Sequence, residues 1–263
     1  MTTPATASGT FVPRPGAAPF PTQVLAQTRI ETKLLLRNGE QLLLALVIPV
    51  IVLVGGVLAA DRVGLEFPDG AVATLTPGVL ALAVLSTSFT SLAISTGFER
   101  RYGVLKRLGA SPLPRSGLLL GKVGSLLAVQ TLQVVVIGTT ALLLGWSPTP
   151  GADGVIGALL AILLGTAAFA SLGLALAGAL RAEATLAAAN LVYLLLMAGG
   201  AVVIPASSYG AAGPLLVLLP SGALGDGLRL ALMDGMVPVV PLLVLAAWSV
   251  LGTVLTARTF KWE

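Results

Sequence analysis

The groups able to do chemistry in this chain crowd into one run. Glu99, Arg100, Arg101, Tyr102, Gly103, Lys106, Arg107 and Arg115 sit between two apolar stretches, and Lys122 opens the second. Basic side chains beside glycines suggest phosphate binding, and Gly117-Leu-Leu-Leu-Gly121-Lys122-Val123 is the nearest approach to a phosphate loop. It has one residue too few between the glycines, places Val123 where a hydroxyl must reach Mg²⁺, and lies inside an apolar helix. Phosphate chemistry is rejected for this run, and its charge makes it a point of contact with something outside the membrane. Tyr102, Leu105 and Leu108 recur three apart while Arg100, Arg101, Lys106 and Arg107 take other directions. A short amphipathic helix is expected, capped by Gly109 and held apart from the next helix by Pro112 and Pro114. Such a helix suits a groove on a soluble partner. The plainer reading is an ordinary basic loop at a membrane surface.

The elements that must position this run are membrane spans. The chain is 56% hydrophobic and 10% charged, where a soluble domain carries roughly 25% charged residues. A hydrocarbon core about 30 Å thick needs about 20 apolar residues per helix. Six stretches qualify, at about Leu42 to Ala60, Val72 to Phe98, Leu118 to Leu144, Val155 to Leu180, Ala184 to Ile204 and Pro238 to Ala257. Pro49 and the Gly55-Gly56 pair are possible kinks in the first. Between Pro205 and Val237 the apolar run Leu215 to Leu219, flanked by Pro214 and Pro220, is too short to cross, so re-entrant or interfacial short helices are expected there. Ahead of the spans, Arg29, Lys33 and Arg37 recur every four residues beside Ile30 and Leu34, as in a helix lying on an acidic inner surface. The expected organisation is a disordered tail at 1–22, an amphipathic interfacial helix at 23–40, and an all-α, six-span membrane domain at 41–263. The tail lacks the basic start and apolar run of a secretory signal.

Charge sets the orientation. With both termini in the cytoplasm, thirteen of the 15 basic residues fall inside and only Arg62 and Arg229 outside. Asp61, Glu66, Asp69, Asp153, Asp226 and Asp234 fall outside. The net +4 charge follows this asymmetry, so no nucleic-acid partner is inferred. The absence of His and Cys removes imidazole bases, thiol nucleophiles and the commonest metal ligands. No Asp or Glu falls in the middle of a span, which argues against proton-coupled transport.

The order Glu99-Arg100-Arg101, Gly103, Leu105, Arg107-Leu108, Ser111-Pro112-Leu113, Arg115, then Gly121-Lys122, resembles the signature of ABC type-2 permeases. These are transmembrane subunits of exporters for drugs and polysaccharides. Lys106 departs from the acidic or polar residue common there. The resemblance implies a coupling helix that receives force from a separate ATPase, with Glu99, Arg100, Arg101, Tyr102, Gly103, Lys106, Arg107 and Arg115 at the contact. It further implies two copies of that ATPase, a second permease protomer, ATP and Mg²⁺ held by the ATPase with no cofactor on this chain, and a bacterial plasma membrane. The alternative is a carrier or channel that works without an ATPase. An intramembrane enzyme would need convergent catalytic groups that the chain lacks.

Within the spans, Ser91, Gln130, Gln133, Asn190 and Tyr193 are candidates for a substrate path, and interhelical hydrogen bonding is the plainer role for each. Apolar walls with few polar groups suit a lipophilic or amphipathic substrate. Gly117, Gly121 and Ser125, with Gly157 and Gly165, have the spacing of close helix packing. Lys122 is expected to snorkel to the headgroups.

Overall fold

A computed structural model describes residues 16, 18–64, 67–111 and 113–259. The expectations for the tail at 1–15 and residue 17, and for Glu66, Pro112 and Lys261, lie outside the described residues, as does the side chain of Arg115. The described residues form helices, six of them long and apolar enough to cross a membrane: Ala45–Val63, Ala71–Arg101, Ser116–Leu143, Gly151–Ala179, Ala182–Gly199 and Val239–Thr259. Lipid offers no partner to backbone amides and carbonyls, so a chain this apolar closes its hydrogen bonds within helices.

The second span is the axis of the fold. Its most apolar stretch is 89% buried, against at most 50% for any other span. The fourth span packs along the last one, and helix Pro220–Leu232 packs on both the fourth and the second. Large apolar side chains such as Ile51, Leu58, Val135, Leu159, Leu194 and Val250 are exposed on the outer surface, where lipid would cover them.

Two spans contain a widened π-helical turn, Leu43–Val47 at the head of the first and Ser86–Ser91 in the middle of the second. Pro49 enters the first span just after its π turn, where a missing amide is tolerated. The hydroxyl-rich turn of the second span lies against Gly173, where a Cβ would stand 2.8 Å from the Phe89 carbonyl oxygen. A side chain there would force the two spans apart.

The fifth span ends at Gly199, five residues short of the expected Ile204. Arg229 is the physical reason. Its guanidinium donates to the carbonyls of Val202 (3.0 Å) and Val203 (2.5 Å) just past the helix, and to Asp226 Oδ1 at 2.9 Å. Those carbonyls are thereby satisfied without another helical turn. A 3₁₀ stretch at Ala206–Ala212, a turn at Gly213–Leu216 and helix Pro220–Leu232 follow, all too short to cross.

The N-terminal helix runs Phe20–Arg37, starting three residues earlier than expected because Pro21 fits its first turn. It packs along the third span. Arg29, Lys33, Ile30 and Leu34 are exposed, whereas Gln27 and Glu31 are buried. The face that docks on the protein is the polar one.

Candidate functional site

The charged run folds as a bend and a short helix between the second and third spans. The second span ends at Arg101, Gly103 adopts a left-handed conformation (φ 67°), and the helix Val104–Gly109 follows. A non-glycine residue at that φ is strained, so Gly103 is where the chain can turn sharply. Gly109 does not cap the helix as expected but forms its last residue, with Ala110 beyond. Ser111 closes it instead, donating from Oγ to the Leu108 carbonyl at 2.6 Å. Leu105 is 4% exposed and pins the helix to the protein, leaving Tyr102, Lys106 and Arg107 exposed. The Tyr102 ring stacks on Phe98 at 6.1 Å, and the Arg101 guanidinium lies 5.8 Å from its centroid.

Beneath this helix lies a buried charge cluster that joins three elements. Lys122 Nζ donates to Glu99 Oε1 at 2.7 Å and to Glu31 Oε1 at 3.2 Å. Gln27 Nε2 donates to the same Glu31 oxygen at 2.8 Å. Lys122 does not snorkel: it is 4% exposed, and two carboxylates in reach hold it inward. A lysine buried with paired carboxylates keeps its charge where one facing lipid would be forced outward. Glu99 and Lys122, two residues of the signature separated by 23 positions, are therefore partners of each other. The same ammonium excludes the phosphate loop, since residues 117–123 are helical and the nitrogen is already engaged.

The glycines of the third span make room for this cluster. A Cβ on Gly121 would stand 2.5 Å from Gln27 Cγ, and one on Gly124 would stand 2.7 Å from Thr28 Oγ1. Gly117 is shielded by Leu113 and Phe20. The small-residue stripe thus seats the N-terminal helix, and Gly124, which the four-residue spacing passes over, belongs to it. Ser125 is buried and donates to the Lys122 carbonyl at 2.7 Å. Gly157 lies against Met236, Val237 and Pro238, and Gly165 against Leu224.

Arg100 and Arg101 reach sideways within the chain. Arg100 Nη1 donates to the carbonyls of Ala177 and Gly178 at the end of the fourth span, where the helix dipole favours a cation. Arg101 pairs with Glu183 at the start of the fifth span.

Among the mid-span candidates, Gln130 and Gln133 tie spans together. Gln130 donates to Ser88 Oγ at 2.8 Å and accepts from Thr166 Oγ1 at 3.0 Å. Gln133 Nε2 reaches both π turns, donating to the Ala45 carbonyl at 2.6 Å and to Thr87 Oγ1 at 2.8 Å. Ser91 is buried near Thr87 and Val129. Asn190 is half-buried, and Tyr193 is buried with its hydroxyl unpartnered among the described residues. The structure does not bring these five residues to one cavity. Gln27, Glu31 and Gly124 were missed by sequence reasoning. Their signal is a polar i, i+4 pair in one helix that a buried lysine 91 residues away requires.

Comparison with known families is consistent with this geometry. The family model described as ABC-2 type transporter matches residues 22–231, from the N-terminal helix through almost all of helix Pro220–Leu232. A search of curated proteins finds no match.

Proposed function

The chain belongs to the ABC-2 type transporter family, and on that premise we propose that it is the permease half of an ATP-driven exporter. In this reading it works with a second permease protomer and two copies of a separate ATPase that binds ATP and Mg²⁺. Both termini lie in the cytoplasm of a bacterial cell, and the substrate is lipophilic or amphipathic. Few polar groups within the spans support the substrate class, and Asn190 and Tyr193 remain as polar groups for its path.

One observation carries the coupling role. The Val104–Gly109 helix exposes Lys106 and Arg107 beside Tyr102 at 62% exposure, while its base is locked by the Lys122 cluster. A rigid base with a charged tip can transmit a push from a docked subunit into the second and third spans. Arg100 and Arg101 have partners inside the chain, so Lys106 and Arg107 are the cleaner contacts to perturb. Reversing both to Glu is expected to weaken ATPase co-purification and stimulation by at least about tenfold, because a like charge against a complementary surface costs more than about 1.4 kcal/mol. Wild-type coupling in the inserted double variant overturns the role. Transport by the reconstituted chain alone, without an ATPase, would establish the carrier reading instead.

A further inference from the structure

A cleft of about 580 Å³ opens between the N-terminal helix, the second span and the fifth, beside the Lys122 cluster. Its walls are apolar side chains, Leu34, Ile94, Phe98, Val104 and Leu186, each exposed or half-buried and so open to a ligand. Its size falls within the range of small-molecule sites.

Two opposite charges line this apolar space. Glu31 is 8% exposed, and its Oε1 accepts from both Gln27 and Lys122. Its Oε2 accepts nothing among the described residues and, unlike Glu99 Oε2, is not fully enclosed. A buried carboxylate oxygen without a donor is costly, so it points to a donor that the chain does not supply. The cluster also sets two carboxylates, Glu31 and Glu99, against one ammonium. Arg37, six residues on and about 9 Å further along the helix axis, is exposed, lines the same cleft and makes no ion pair among the described residues. The acid is therefore deep and the base is at the mouth.

We infer that this cleft binds the headgroup of a zwitterionic aminophospholipid, its ammonium donating to Glu31, its phosphate beside Arg37 and its acyl chains along Leu34, Phe98 and Leu186. Charge complementarity carries the choice of ligand: an amine alone leaves Arg37 unmatched, and a phosphate alone leaves Glu31 without its donor. The depth agrees, because the second span ends at Arg101, three residues past Phe98. The inference needs no ATPase and is the same for a permease or a carrier, so it stands or falls separately from the exporter reading.

The test uses the purified full chain in detergent, with native mass spectrometry to count retained phosphatidylethanolamine against phosphatidylcholine of the same acyl chains. The choline headgroup keeps the phosphate and the positive charge but has no N–H to donate. The wild-type chain should retain the ethanolamine lipid over the choline lipid by at least about fivefold, as one hydrogen bond to a charged group implies. Glu31→Gln keeps an acceptor for Lys122 but removes the charge, and it should bring the ratio close to one. Arg37→Gln should lower retention of both lipids alike and leave the ratio in place. Leu186→Trp fills the cleft from the fifth span without touching any charge, and it should lower both, which keeps the site testable if Glu31→Gln fails to fold. A wild-type ratio near one, a preference that survives Glu31→Gln, or full retention in Leu186→Trp each overturns the site. Dodecylamine is the second probe: displacement of the lipid by equimolar amine overturns the lipid as ligand in favour of an amphipathic amine without phosphate, and retention supports the lipid.

Discussion

At the scale of single residues, magnitudes separate two kinds of buried polar group. The hydrogen bonds of Gln130 and Gln133 tie spans together at about 0.6 kcal/mol each, the average for interhelical bonds in a membrane. Lys122 is a different case, because removing it strands Glu31 and Glu99 side by side with side-chain exposures of 11% and 17%. Breaking a buried pair by removing one partner costs roughly 3–5 kcal/mol. Lys122→Met is therefore expected to lower the thermal midpoint in detergent sharply, and Gln130→Leu only slightly. Adding Glu31→Gln and Glu99→Gln to Lys122→Met should recover more than half of the loss, since the stranded charges are then gone. Equal, small shifts for Lys122→Met and Gln130→Leu would refute the ranking. The pairing also changes what the Glu99 signature position means: its carboxylate organises this chain before it meets any partner.

At the scale of elements, the decisive contact is the N-terminal helix on the third span, and its glycines give a test with opposite signs at two sites. Gly138, in the same helix, has open space where a Cβ would go. Gly138→Ala is expected to stabilise by up to about 1 kcal/mol through helix propensity alone. Gly121→Ala gains the same propensity but drives a methyl to 2.5 Å from Gln27 Cγ, so it should destabilise and expose Arg29, Lys33 and Arg37 to trypsin in detergent. Matching behaviour of the two variants would mean that the N-terminal helix is not seated there. How much of this was legible beforehand follows from the physics of each element. The spans were legible because apolar length alone marks them, and the short helix after Gly103 because its charges and prolines punctuate the chain. The docking face was not, since Gln27 and Glu31 read as solvated until Lys122 is brought to them across the fold. The π turns were equally hidden: Ser86–Ser91 has nothing in its composition that forbids an α-helix, and only Gln133 and Gly173 from other spans give its widened turn a purpose.

At the scale of the whole molecule, one arrangement recurs at both ends of the spans. Near the second-to-third-span bend, Lys122 and Arg100 join the N-terminal helix, the second span and the fourth. At the opposite end, Arg229 joins helix Pro220–Leu232 to the residues following the fifth span and approaches the Thr74 carbonyl at the start of the second. The second span is held at both ends by buried cations from its neighbours, so a push at Val104–Gly109 would be carried along a fixed axis. That argument requires the two ends to face opposite sides of the membrane, with the charged run inside. The chain contains no cysteine, so single substitutions can report sidedness without background. Ser111 and Ser147 are both exposed, the first after the short helix and the second in the turn between the third and fourth spans. In intact cells a membrane-impermeant thiol reagent should label Ser147→Cys, and Ser111→Cys only after permeabilisation. The reverse pattern would invert the topology and move the basic majority outside, against the charge rule. It would also leave Lys106 and Arg107 on the side where no ATP-driven subunit can reach them.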